Sequence, residues 1–271
     1  MRPVFDFNIH LPYVEHEDVN VVIENDMTLD DEGLLKGLDK HRNKFTTLTG
    51  GNILLFNTNL FSGVPVTFMD KARKDLSKLV FTALIDFRRE DIEDYLDHAA
   101  TSGVKAVMVN SYLQKIEEND FDKVVQVYQY AASKGLILCI DGSYGTSKMY
   151  TYDNIKLACR VADAVNSVPI VIVHSGGLRV MNAMLLAAEK SNVWLDTSFS
   201  LPYYIGSSLE QDYAFTYKRI GTDRVIFGSD VPYLNSEEAV KIHMAFFEKY
   251  HFSSEDIDKI MYQNASRLFG L

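Results

Sequence analysis

The chain is poor in cysteine, proline and tryptophan, and it has no long unbroken apolar run. Two cysteines, Cys139 and Cys159, sit in apolar surroundings, too few for a secreted disulfide scaffold. They are expected as buried thiols in a reducing compartment, and the chain is expected to be cytoplasmic. Only 6 Pro and 15 Gly in 271 residues exclude collagen-like and low-complexity chains. No apolar stretch reaches the ~18–20 residues that span a bilayer, and MRPVFDFNIHLPY at the start lacks a signal-type apolar segment. Positive charge is also scarce: 27 Lys and Arg against 37 Asp and Glu leave a net charge of −10. That balance argues against a nucleic acid or an anionic membrane as partner.

What the chain does have is 47% hydrophobic residues arranged in a repeating order. Short apolar or β-branched runs occur at 4–10, 52–57, 79–86, 104–110, 136–141, 169–174, 192–198 and 224–230. Most are continuously apolar, as strands buried on both faces are. Helix-like segments such as EDIEDYLDHAATSG, DKVVQVYQYAASKG and LRVMNAMLLAAEKS lie between them. Alternating strands and helices imply a parallel sheet, and at this length the natural closure is a (β/α)8 TIM barrel. A doubly wound open sheet is the competing architecture. No Pro/Gly/Ser linker divides the chain, so residues 1–271 are expected to form one domain. Irregular stretches at 11–28, with His16, and at 58–69 are the expected walls of a pocket.

A parallel barrel builds its chemistry where the carboxyl ends of its strands converge. Strict alternation in strand one would turn Asp6, Asn8 and His10 the same way. Strand three ends in Asp86, strand four in Asn110, strand five in Asp141, strand six in His174 and strand eight in Asp230. Any one strand-terminal Asp is more often a cap or loop anchor. Several Asp, His and Asn residues on different strand ends together offer metal ligands and an acid/base pair. Arg179 and Tyr144 are candidates for binding a substrate carboxylate, as are Arg88, Arg89 and Tyr112 less directly, with surface ion pairing the simpler role for each arginine.

The blocks FDFNIHLP, VIVHSGG (171–177), NVWLDTS (192–198), VIFGSDVPY (225–233) and NASRLFGL (264–271), in that order, resemble the amidohydrolase superfamily. The branch is amidohydrolase family 2, which includes the aminocarboxymuconate semialdehyde decarboxylase group. The resemblance implies a metal-dependent-hydrolase type of TIM barrel with one divalent ion (Zn, Mn or Mg), held by His10, Asp230 and the residues at positions 8 and 141. There the family's usual histidines are replaced by Asn8 and Asp141, giving an oxygen-rich set that zinc favours less. Asn110 in place of a lysine at the end of strand four argues against a two-metal centre. The resemblance further implies a small-molecule enzyme, with Asp230 as base and His174 polarising a carbonyl. It would hydrolyse a C–O or C–N bond of a lactone, ester or amide, or decarboxylate a small acid. Alternatives are a metal-independent lactonase, with a raised Asp beside His174 as acid/base pair, and a barrel that has lost catalysis and binds a ligand. Asp6 is expected as an orienting partner, and Ser175, Gly176 and Gly177 as a close backbone approach to the pocket. A homodimer is the expected assembly on general grounds.

Overall fold

The computed structural model describes residues 2–11, 31–55, 66–144, 147 and 149–271. Most of 11–28 with His16, and 58–65, lie outside the described residues. Eight parallel strands run in sequence order around one sheet: β1 (Val4–Leu11), β2 (Leu48–Leu55), β3 (Leu79–Leu84), β4 (Ala106–Val109), β5 (Ile137–Asp141), β6 (Ile170–Val173), β7 (Val193–Asp196) and β8 (Val225–Ile226). Helices cross between them: α1 (Asp31–Lys44), α2 (Val66–Asp75), α3 (Ile92–Thr101), α4 (Phe121–Ser133), α5 (Asn154–Ala164), α6 (Val180–Glu189), α7 (Ser200–Tyr204) and α8 (Leu209–Ile220). After β8 come α9 (Ser236–Lys249), α10 (Ser254–Asp258) and α11 (Asn264–Phe269). This is the expected α/β barrel. Each of β3 to β8 is buried along its whole length, so continuous apolar runs are what these strands require. The crossover helices bury one stripe each, as α3 does with Ile92, Tyr95, Leu96 and Ala99.

The seam between first and last strands is made by Phe7 N–H donating to Phe227 O (2.9 Å), Asp230 N–H to Asn8 O (3.0 Å) and His10 N–H to Val231 O (2.9 Å). Inside β1 the pairing with β2 shifts register between Asp6 and Ile9. The Asn52 amide enters there, donating to Phe7 O at 3.0 Å, and Thr82 Oγ1 donates to Asn52 Oδ1 at 2.8 Å. The irregularity breaks the strict alternation expected of Asp6, Asn8 and His10, and the three reach different partners. β2 begins earlier than its apolar run, at Leu48. Its glycines mark a tight passage: a Cβ on Gly50 would lie 2.9 Å from the Lys78 carbonyl oxygen, and one on Gly51 3.3 Å from the Asp6 carbonyl oxygen of the first strand.

The terminal NASRLFGL block is a clasp. Asn264 Nδ2 donates to Thr222 O (2.6 Å) and Val225 O (2.7 Å), and the Phe269 ring stacks on Phe5 and Phe7. Both cysteines are free; Cys139 is buried and Cys159 only partly so. Among the described residues no helix is long and apolar enough to cross a membrane.

His243, on α9, is wholly buried, donating from Nδ1 to Ala239 O (2.7 Å) and accepting at Nε2 from Thr197 Oγ1 (2.8 Å). Burial pushes its pKa from 6.5 down to about 4, so the unfolded chain binds this proton more readily than the native one. The histidine's contribution is therefore complete above pH 6.5 and is lost as pH falls toward 4. At 1.36 kcal/mol per pKa unit the loss is about 3 kcal/mol. In urea titrations from pH 7 to 4, the stability deficit of His243→Asn relative to wild type is expected to shrink by about that amount. A deficit independent of pH would contradict it.

Candidate active site

The carboxyl ends of the strands bring His10, Asp141, His174 and Asp230 together as two imidazole–carboxylate pairs. His10 Nε2 lies 2.9 Å from Asp230 Oδ1, and His174 Nε2 lies 3.8 Å from Asp141 Oδ2. All four are at least nine-tenths buried. Tyr233 meets the His10 ring edge-on at 5.3 Å. The phenols of Tyr112 and Tyr233 feel both carboxylates and are held well above their ordinary pKa by burial and by that charge, so they remain O–H donors.

The turns that present these groups are strained. His174 and Ser175, directly after β6, have φ of 61° and 52°, and Asp230 has 65°. Each such non-glycine residue costs on the order of 1–3 kcal/mol unless its surroundings hold it. Gly177, in the same turn, has φ 54°, and a Cβ there would come within 2.8 Å of Tyr144 N. This is the close approach expected from the Ser-Gly-Gly run. Asp230 is anchored through its neighbours: Asp6 accepts from Ser229 N–H (2.8 Å) and Ser229 Oγ (2.5 Å). Asp6 is thus a partner of the loop, as expected.

Burial favours the neutral form of every carboxyl here, and the neighbours decide which ones resist it. Burial opposes the Asp230 charge, but His174 and His10 outweigh it and hold Asp230 below the usual carboxylate range. Asp141 is pushed up by burial, only partly offset by His174 and by the Ser143 N–H at 2.7 Å. Burial works against the His174 cation, but Asp230, Asp141 and Asp196 raise its pKa above 6.5. The neighbours thus bias Asp230 toward the ionised form, Asp141 toward the neutral form and His174 toward the protonated one.

Asn8 does not join His10 and Asp230. Its Nδ2 donates to Ser198 Oγ at 2.7 Å, and its buried Oδ1 has no hydrogen-bond partner among the described residues. Asp141 is engaged on both oxygens, by Ser143 N–H and by Asn110 Nδ2 at 2.8 Å. Among the described residues no three His, Cys, Asp or Glu side chains assemble as a cation would need.

Arg179 is paired with Asp153 at 2.7 Å and lies over the Tyr144 ring, whose hydroxyl it also bonds. Arg88 and Arg89 are held by Asp120 and Asp91, and Asp86 is an exposed turn anchor accepting from Arg88 N–H. Sequence reasoning missed Ser198, Asp196 and Tyr233 as individuals, although all three lie inside the blocks NVWLDTS and VIFGSDVPY. A neutral serine and a phenol carry no charge signature, and the role of Asp196 appears only once β6 and β7 are paired.

No functionally curated protein matches the chain. Among solved structures, a probable 2-pyrone-4,6-dicarboxylic acid hydrolase from Acinetobacter baumannii is 17% identical with TM-score 0.67, covering 99% of each chain. An amidohydrolase from Burkholderia multivorans with bound zinc is 11% identical with TM-score 0.71, covering 99% of each chain. A 2,6-dihydroxybenzoate decarboxylase from Rhizobium is 16% identical with TM-score 0.64, covering 100% of this chain and 99% of that one. At such identities the likeness is one of fold. The family model described as amidohydrolase matches residues 69–271, three quarters of the sequence and all the strands from β3 onward, and by that match the chain belongs to the amidohydrolase family.

Proposed function

We propose that this chain hydrolyses a small carboxylate-bearing ester or lactone. The observation that carries the reading is the pairing of His10 with Asp230 and of His174 with Asp141 at one barrel mouth, with the two carboxyls biased in opposite directions. Asp230 takes a proton from water as the water oxygen bonds to the carbonyl carbon. His174 donates from Nε2 to the carbonyl oxygen and carries its developing negative charge. Collapse of the tetrahedral intermediate breaks the C–O bond, and Asp141 supplies the proton that the leaving alkoxide needs. His10 holds the Asp230 carboxylate in place, while Tyr112 and Tyr233 offer O–H groups to the substrate. Arg179 and Tyr144, already joined to each other, form the outer contact for a substrate carboxylate.

Hydrolysis is preferred to decarboxylation because Asp230, kept ionised, is set to accept a proton from water. Its similarity in fold to a protein named for a pyrone dicarboxylate, a cyclic ester with two carboxylates, supports that substrate class. Among the described residues no group of three or more His, Cys, Asp or Glu is placed to hold a metal ion, and each step falls to the chain's own side chains.

Wild-type protein is expected to turn over at least one member of a panel of small carboxylated lactones and esters. Asp230→Asn is expected to lower kcat by about 10²–10⁴-fold while circular dichroism and melting temperature stay near wild type. Full activity in that variant would sink the reading, as would substrate binding by wild type without turnover. Turnover is also expected to survive chelation, with zinc or manganese well below stoichiometric after dialysis and desalting. About one ion per chain, lost in His10→Ala, would show instead that the donors gather around a metal.

A further inference from the structure

Behind His174 lies a hydrogen-bonded bracket to which the proposed chemistry assigns no role. Ser198 Oγ has three partners: Asn8 Nδ2 at 2.7 Å, His174 Nδ1 at 3.0 Å and Asp196 Oδ2. A hydroxyl has one hydrogen and two lone pairs. The Asn8 amide nitrogen only donates and the Asp196 carboxylate only accepts, so the hydrogen goes to Asp196 and one lone pair to Asn8. The other lone pair can face only a donor, which places a hydrogen on His174 Nδ1. The Ser198 carbonyl oxygen, 3.1 Å from the same nitrogen, requires this independently. Nε2 is then the nitrogen that faces Asp141 and the site.

The same carboxylate also holds the backbone that aims the ring. Asp196 Oδ2 accepts from His174 N–H at 3.0 Å, Oδ1 accepts from Ser198 N–H at 3.1 Å, and the Asp196 carbonyl accepts from Ser175 Oγ at 2.6 Å. His174 and Ser175 are the two non-glycine residues of that turn with positive φ, so these bonds fall on the strained atoms. Asp196, Ser198 and Asn8 are all fully buried.

We infer that Asp196 and Ser198, locked by Asn8, are positioning residues that keep a hydrogen on His174 Nδ1 and so leave Nε2 as the nitrogen that carries the proton donated in the proposed hydrolysis, an inference that rests on the hydrolase reading for its catalytic consequence only. Asn8 thereby serves as a hydrogen-bond donor to the bracket.

The test is ¹⁵N NMR of histidine-labelled protein, with His174 assigned from the signals lost in His174→Gln. Wild type is expected to show protonated Nδ1 at every pH where the ring is neutral. In Asp196→Asn the amide cannot accept from all the donors the carboxylate served, so His174 is expected to populate the Nε2–H form. kcat should fall by about 10²-fold or more, with KM changed far less. Ser198→Ala keeps the backbone carbonyl, so it should lose less activity and retain most of the tautomer, and Ser198→Thr should restore both. Wild-type His174 protonated on Nε2 when neutral would overturn the inference, as would a folded Asp196→Asn with unchanged spectrum and kcat. If Asp196→Asn does not fold, the wild-type tautomer and the Ser198→Ala and Ser198→Thr pair still decide. The NMR readout needs no turnover, so it separates failure of the bracket from failure of the hydrolase reading.

Discussion

Everything at the mouth of this barrel depends on how the first strand is joined to the segment after the last. Three backbone hydrogen bonds, from Phe7, Asp230 and His10, make that join, and two of them involve residues whose side chains form the site. Because Asp230 N–H is tied to Asn8 O and His10 N–H to Val231 O, the His10 imidazole and the Asp230 carboxylate cannot drift apart without opening the barrel. Barrel closure and the geometry of the proposed base are one constraint. The Asn264 and Phe269 clasp braces the same seam from outside, so the last residues of the chain bear on a site far from them in sequence.

The electrostatics follow from that closure. Water is largely excluded, and each carboxyl must be neutral or matched by a nearby positive charge or donor. Asp230 has His10 and His174; Asp141 has two neutral amides and a more distant imidazole; Asp196, pushed up to about 6 by burial, is served only by donors and by His174. The His174 imidazole is thus shared among three carboxyls. That sharing sets Asp230 apart as the carboxylate that stays ionised, because it alone has a second imidazole within hydrogen-bond reach.

Much of the scaffold was legible in the amino-acid order, since eight apolar runs separated by helical segments leave few closures at this length. The strand ends were legible too: His10, Asp141, His174 and Asp230 are polar residues where buried strands stop, and the structure gathers them at one mouth. β2 was harder, because Gly50 and Gly51 oppose strand formation locally and are explained only by the close passage of β1. The hydrogen bond from Asn8 to Ser198 was not legible, because it depends on the register shift after Asp6 and on where β7 ends. Ser198 was invisible for a different reason. Its importance comes from having three partners on three strand ends, a property of spatial convergence that no local pattern encodes.

Asn8 shows what a neutral amide does at the mouth of this barrel. An imidazole at this position offers a lone pair to a cation, whereas a primary amide offers two N–H donors and a carbonyl oxygen. Ser198 Oγ, already committed to Asp196 and His174, has one lone pair left, and the amide N–H is the group that fits it. Placing a histidine at position 8 would therefore do more than supply an imidazole. It would exchange a fixed donor for a ring that in one tautomer turns a bare nitrogen to the serine, leaving the serine lone pair unmatched in a dry interior, a loss of about 1–3 kcal/mol. The asparagine and the serine are thus coupled, and the coupling runs directly into the tautomer of His174. Asn8 is held by the same hydroxyl that orients the imidazole the chemistry needs.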